Sequence, residues 1–368
     1  MSSTNSEPDE NTILELRDLS KNFKQSSSFV TSLKETLLGH DIPLIRAVED
    51  VNMTLKRGEV EGVIGESGCG KSTLLRTIMG LYSPSSGKIE LSGHPTSEFT
   101  KKEWKEYRRR VQIILQDPFN TMDPKFTVRE TLREPLNIHR MDNKEERVHD
   151  VLEKVELNPP EKYLDRTSGQ LSGGEKQRVS IGRALILEPD VLLADEPVSM
   201  LDVSTQAAIL QLLNDLSEEL GVSMLYISHD LSTVSYVCDR VNVMYLGCIV
   251  ESADTGALIR NPKHPYTQAL IKAIPIPDPH YDRDRMLLEG EPSDPINLDF
   301  GCRFKDRCPE RMDICDTAPK FVVPDDAEGS QDRGVACHLY YDHEETVNGE
   351  LLGNQPDTAS VERGEGDE

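Results

Sequence analysis

"VEGVIGESGCGKSTLLRTIMG", residues 60–80, decides the fold. The run Val60–Gly65 is apolar and short, as a buried strand is. The run from Lys71 has the three- and four-residue apolar spacing of a helix. Between them, Gly65–Ser72 fits G-x-x-x-x-G-K-[ST], in the strand–loop–helix setting this motif requires. Glycines at 65, 68 and 70 let backbone N–H groups turn inward around phosphate oxygens, and the helix N-terminus adds favourable potential. Lys71 can reach terminal phosphates, and the Ser72 hydroxyl can bind Mg²⁺. Glu66, Ser67, Cys69 and Thr73 complete the loop, and Cys69 stands where any small residue is tolerated.

Downstream, "VLLADEP" (191–197) supplies the partner motif. Asp195 ends an apolar strand and can hold a metal shell. Glu196 beside it can polarise a water for attack on a phosphate. "SMLYISHD" and "RVNVMYLGCIV" are further strand-like runs separated by helices. This alternation implies a mainly parallel sheet covered on both faces. Residues 12–23, "TILELRDLSKNF", alternate apolar and polar positions like an edge strand. From about 118 to 172 the chain is charged and helical, with Val148, Val151, Leu152 and Val155 on one face.

The bulk numbers limit the function classes. The chain has 368 residues, 65 acidic against 41 basic, and a net charge of -24. Such a surface repels DNA, RNA and anionic lipid, so no nucleic-acid partner is expected. No stretch approaches the ~20 apolar residues of a membrane span. The N-terminus lacks a basic segment followed by an apolar run. The reading is a soluble cytosolic chain whose membrane part, if any, comes from other chains.

"LSGGEKQR", residues 171–178, adds a third motif. In the order phosphate loop, "LQDP", "LSGGEKQR", "LLADEP", "SMLD", "ISHD", residues 12–255 resemble the ATPase subunit of an ATP-binding cassette transporter. The resemblance implies an α/β fold: a RecA-like P-loop NTPase core, a helical subdomain at about 118–172, and an N-terminal antiparallel β part. It implies ATP and Mg²⁺ as ligands, with Gly65–Thr73 on the phosphates and Ser72, Gln116 and Asp195 on Mg²⁺. Gln116, Glu196 and His229 match the catalytic positions. Phe23 matches the ring that stacks on adenine. Leu171, Ser172, Gly173, Gly174, Glu175 and Gln177 match a signature that binds ATP held by a second subunit. Asp202 matches the D-loop aspartate. Each has a plainer alternative: Gln116 as a loop residue, His229 as a strand-end histidine, Phe23 as a core aromatic. Two positions depart mildly from the family: Glu175 is often Gln, and Met200 is often Ala.

After about Ala257 the rhythm is lost and Pro, Asp and Arg become dense. "NPKHPYTQAL", "IPIPDP" and "GEPSDP…GCRFKDRCPERMDIC…VACHL" resemble the C-terminal region of oligopeptide/dipeptide importer ATPases, a branch that includes nickel and some sugar importers. Residues 256–340 therefore read as a small irregular extension. Residues 1–11 and the acidic 341–368 read as disordered tails.

Four of the 7 cysteines fall here, spaced C-x5-C-x6-C-x21-C at Cys302, Cys308, Cys315 and Cys337. Clustered thiols in a cytosolic chain argue for metal, although the spacing matches neither zinc knuckles nor the common ferredoxin run. A 4Fe-4S cluster (implied by the importer resemblance), zinc, and plain thiols or disulfides remain alternatives. The resemblance implies two membrane permease subunits, a second ATPase subunit, identical or related, and indirectly an extracytoplasmic solute-binding protein. It places the chain at the cytoplasmic face of the membrane.

Overall fold

The computed structural model describes residues 11–24, 44–117, 122–273, 296, 298, 301–325 and 333–341. The two tails, apart from residues 11 and 341, and the quoted "IPIPDP" and "GEPSDP" runs lie outside the described residues.

In chain order the strands are β1 (Thr12–Lys24), β2 (Leu44–Lys56), β3 (Val60–Ile64), β4 (Ser86–Leu91), β5 (His94–Pro95), β6 (Val111–Ile114), β7 (Val191–Asp195), β8 (Ser223–Ser228), β9 (Arg240–Tyr245), β10 (Cys248–Asp254), β11 (Phe321–Val322) and β12 (Gly334–Ala336). The helices are α1 (Lys71–Ile78), α2 (Lys101–Arg110), α3 (Val128–His139), α4 (Lys144–Lys154), α5 (Gly173–Leu185), α6 (Val203–Leu220), α7 (Leu231–Val237), α8 (Thr255–Arg260) and α9 (Pro265–Lys272).

The strands make two sheets, an antiparallel one in the order β2-β1-β4-β5 and a larger one in the order β11-β12-β10-β9-β3-β8-β7-β6. β1 lies between β2 and β4, so the edge-strand reading of 12–23 is corrected. Its alternation comes from one face packing on a core, and alternation is blind to what lies beside a strand.

The parallel strands bury both faces with period two. Val60 and Ile64 of β3, Leu192 and Ala194 of β7, and Met224 and Tyr226 of β8 join one apolar cluster, with α3–α7. Val63, Val191, Leu193, Leu225 and Ile227 join the other, with α1, α2 and the antiparallel sheet. Alternate residues facing two cores is why these strands read as continuous apolar runs. Because β3, β8, β7 and β6 are parallel neighbours, their C-terminal ends open on one edge of the sheet. The segments that follow, beginning at Gly65, His229, Glu196 and Leu115, are delivered side by side.

The extension is more regular than its composition suggests. β12 pairs with β10, and β11 with β12, so the extension completes one side of the larger sheet. Strands of two and three residues are too short to leave a periodic trace. A buried anchor holds it there. The Glu251 carboxylate, fully buried in β10, accepts the backbone N–H groups of Lys263 at 2.9 Å and His264 at 2.8 Å. It also meets the buried Arg333 guanidinium at 3.2 Å. Glu251→Ala leaves Arg333 and two N–H groups buried without this acceptor. The expected loss is about 3–5 kcal/mol of unfolding free energy, read by urea denaturation. A loss under about 1 kcal/mol would contradict the anchor.

Candidate functional site

The loop after β3 reaches its conformation through glycine. Gly68 and Gly70 have φ of 82° and 110°, the left-handed region. A side chain on Gly70 would collide with the Ala47 carbonyl, and one on Gly65 with the Met244 carbonyl. Lys71 opens α1 and folds back, its Nζ donating to the carbonyls of Gly65 at 2.7 Å and Glu66 at 2.9 Å. Cys69 is buried beneath the loop, burial pushes its thiol up, and it plays a packing part.

Around this loop lies a cavity of about 740 Å³, lined by Gly65–Thr73 together with Phe23, Gln116, Glu196 and His229. Glu196 is its focus. Gln116 Nε2 donates to Glu196 Oε2 at 2.9 Å, and His229 Nδ1 lies 3.0 Å from Oε1. An ionised carboxylate only accepts, so Nδ1 carries the hydrogen. Glu196 sits at φ 46°, unusual for a side-chain-bearing residue, and its N–H bonds to the Ile227 carbonyl at 2.9 Å. Asp195 lies one residue earlier, at the end of β7. Burial raises its carboxyl and the neighbouring Glu196 adds to the effect, while Arg76 and Lys71 pull it back.

Phe23 reaches the cavity wall through the register of β1 with β2, where it pairs with Ile45. Its ring meets Tyr82 edge-on at 5.2 Å, and Lys21 Nζ stands 5.0 Å from its centroid. Ile45, Arg46, Ala47, Leu246, Gly247 and Leu270 also line the cavity, and the sequence reading missed them. The β1–β2 register and the β9–β10 turn bring most of these in, and neither is written in a local motif. "RAVED", directly before β2's apolar alternation, was the available signal.

The signature residues are not brought to this cavity. Ser172 caps α5 instead, its Oγ accepting the Glu175 N–H at 3.2 Å while the Glu175 carboxylate accepts the Ser172 N–H at 2.7 Å. That backbone bond holds the Glu175 carboxyl below its usual range. Leu171 is buried, whereas Ser172 and Gly173 are exposed. A side chain on Gly174 would strike Thr205, so the signature packs tightly on the start of α6. Asp202 caps that helix, accepting from the Thr205 N–H at 3.0 Å and from the Ser204 and Thr205 hydroxyls at 2.6 and 2.7 Å. These bonds hold its carboxyl well below the usual range. The Gln177 side chain, further along α5, is fully buried.

The four cysteines of the extension gather in one neighbourhood. The Cys302 N–H donates to the Cys315 carbonyl at 2.9 Å, and the Cys337 thiol is influenced by those of Cys302, Cys308 and Cys315. Burial pushes Cys302 up to about 11 and Cys337 up to about 12. Among the described residues no three His, Cys, Asp or Glu side chains are arranged to hold a metal ion. The metal-binding expectation therefore has no support from this geometry. His338 turns away, its Nε2 3.1 Å from the Thr317 carbonyl oxygen.

A phosphate loop after β3, a carboxylate at the end of β7 on the far side of β8, and a second carboxylate held by Gln and His define a P-loop nucleotide hydrolase. Comparison with known proteins narrows the class. A family model for the ABC transporter matches residues 48–199, and one for the oligopeptide/dipeptide transporter C-terminal region matches 250–315. The putative oligopeptide transport ATP-binding protein YkfD of Bacillus subtilis is 44% identical over 303 residues, covering 80% of this chain and 90% of the relative. The oligopeptide transport ATP-binding protein AppF of the same organism is 41% identical over 335 residues, covering 89% and 98%. Among solved structures, cbiO1 from Clostridium perfringens, part of the ABC transporter complex cbiONQ, aligns with TM-score 0.57 at 29% identity, over 68% of this chain and 92% of that one. The ATP-binding cassette MJ0796, a dimer bound to ADP and Pi, aligns with TM-score 0.56 at 28% identity, over 66% and 99%. The chain belongs to the ATP-binding cassette transporter family, in the branch carrying the oligopeptide/dipeptide C-terminal region, and it is an ATPase.

Among the described residues no helix is long and apolar enough to cross a membrane. The burial of Gln177 is directly testable. Gln177→Met should keep steady-state ATP hydrolysis within about twofold and leave the melting temperature unchanged or higher, since no exposed contact is lost. A tenfold fall in turnover at unchanged melting temperature would return this side chain to the nucleotide.

Proposed function

We propose that this chain hydrolyses ATP in the cavity around Gly65–Ser72 and thereby drives import of peptides through membrane partners. The observation that carries the reading is the placement of Glu196, tied to both Gln116 and His229, at the rim of the phosphate loop. Backbone N–H groups of the loop and Lys71 bind and orient the phosphates. Glu196 orients the attacking water and draws its proton. Gln116 and His229 fix the carboxylate's direction, which matters because a misplaced base loses most of its effect. Phe23 offers a ring face to adenine.

Ser72, Gln116 and Asp195 are oxygen donors of the kind a hard cation prefers, and they would hold Mg²⁺, which when bound neutralises charge on the β/γ oxygens.

The signature lies outside the cavity, with Ser172 and Gly173 exposed. This supports a head-to-tail arrangement in which the Leu171–Gln177 signature presents Ser172 and Gly173 to ATP held by a second subunit, identical or related, with Asp202 alongside. In that arrangement Gln177 acts by packing from within. ATP favours the closed pair through contacts made only there, and hydrolysis reopens it. Two membrane permeases would couple to this motion, with a solute-binding protein delivering cargo outside and this chain at the cytoplasmic face. Peptide cargo is supported by the names of the relatives and by the C-terminal region. The same role for nickel or a sugar is the alternative. A non-transport cassette ATPase acting on nucleic acid suits a net charge of -24 poorly.

For the four cysteines we propose a 4Fe-4S cluster over zinc or free thiols, as the resemblance of this extension to the importer branch implies. The polypeptide alone does not pre-form a metal site among its described residues.

Two experiments test these readings. Glu196→Gln should lower turnover at least ~100-fold while ATP binding stays within about threefold; unchanged turnover would remove Glu196 from its role. Anaerobically purified chain should absorb near ~400 nm and contain iron and acid-labile sulfide in roughly equal amounts. Colourless, iron-free protein would rule the cluster out.

A further inference from the structure

Glu66, the second residue of the phosphate loop, brings a carboxylate to the rim of a cavity meant for polyphosphate. Left alone, that charge repels the ligand. The structure supplies its counter-charge from the far end of the chain. Arg307, in the short turn between Cys302 and Cys308, grips Glu66 with both ends of its guanidinium, Nη1 to Oε2 at 2.8 Å and Nη2 to Oε1 at 3.1 Å. The Arg307 side chain is only 8% exposed, so water screens the pair weakly.

Three further contacts fix the same point. Arg307 Nη1 also donates to the Tyr245 hydroxyl at 3.3 Å. The Tyr266 hydroxyl accepts the Glu66 backbone N–H at 2.9 Å. Behind them, the rings of Tyr245, Tyr266 and Phe304 pack with centroids 4.6, 5.2 and 5.4 Å apart, and Phe304 is 1% exposed. Phe304 and Arg307 belong to the same turn of the extension, so the turn delivers a wedge and a clamp together. Lys71 holds the Glu66 carbonyl from the other side, so any drift of Glu66 also moves the anchor of the phosphate-binding lysine.

We propose that Arg307 is a positioning residue of the ATP site. It neutralises Glu66 and fixes the start of the phosphate loop, which makes the cysteine-bearing extension part of the nucleotide-binding machinery. The inference rests on the reading of the cavity as the ATP site. The simpler alternative is that the pair only fastens the extension to the core. Fastening predicts a stability loss with normal nucleotide affinity, whereas positioning predicts weaker ATP binding that disappears when the unpaired carboxylate is also removed.

The test uses the full chain, with steady-state ATP hydrolysis, binding of a fluorescent ATP analogue, and thermal melting. Arg307→Ala should raise KM for ATP about tenfold while kcat changes less than about threefold, because the loss falls on binding. The double variant Glu66→Gln/Arg307→Ala should recover at least half of that loss, on a logarithmic scale. Arg307→Lys, which keeps the charge without the fork, should fall between wild type and Arg307→Ala, and it covers the case in which the alanine variant fails to fold. A KM within twofold of wild type in Arg307→Ala, or a double variant as weak as the single one, would overturn the proposal. Nucleotide binding that survives Lys71→Ala would overturn the site reading as well. Normal affinity in Arg307→Ala beside a non-binding Lys71→Ala would overturn this inference alone.

Discussion

At two positions in the phosphate loop there is room for hydrogen and nothing larger. A side chain on Gly65 would run into the Met244 carbonyl of β9, and one on Gly70 into the Ala47 carbonyl of β2. The loop is thus lodged between the larger sheet and the antiparallel one, and both sheets must be in place before it can close. Gly247 repeats the constraint from the β9–β10 turn, against the carbonyls of Arg46 and Ala47. The nucleotide cavity exists because three backbone segments approach more closely than side chains permit.

Given that seat, the order β3-β8-β7-β6 does the rest. Parallel neighbours present their C-terminal ends on one edge, so Gln116 and His229, far from Glu196 in the chain, come within hydrogen-bond reach of it. The backbone of Glu196 is held in the left-handed region, at a cost of roughly 1–3 kcal/mol for such a residue. The bond to Ile227 and the grips of Gln116 and His229 over-determine the position. Strain held in place at this point keeps the carboxylate aimed across the cavity.

Much of this was legible in the sequence because phosphate chemistry demands fixed spacing. The strand–loop–helix around Gly65–Ser72 and the strand ending at Asp195 could be placed from local pattern alone. What sequence could not convey was lateral. Alternation in residues 12–23 gave a strand but not its neighbours, and β1 proved to be central. Arg46 and Leu246 reach the cavity through pairing registers set by contacts across the fold. Gln177 sits beside exposed signature residues in sequence, yet helical rotation turns it inward. β11 and β12 are too short to show a period. The Arg307–Glu66 pair joins residues 241 apart, and no local pattern connects them. The cysteines signalled a gathered site through spacing, while the geometry among the described residues does not pre-form a metal centre.

The central claim is that ATP hydrolysis in this cavity drives peptide import. Its most direct test is uptake of a labelled oligopeptide by cells deleted for this chain and complemented with it. The account predicts that uptake is lost on deletion, restored by the wild-type chain, and not restored by Lys71→Ala made at equal abundance. Uptake at the wild-type level in cells carrying only Lys71→Ala would contradict it.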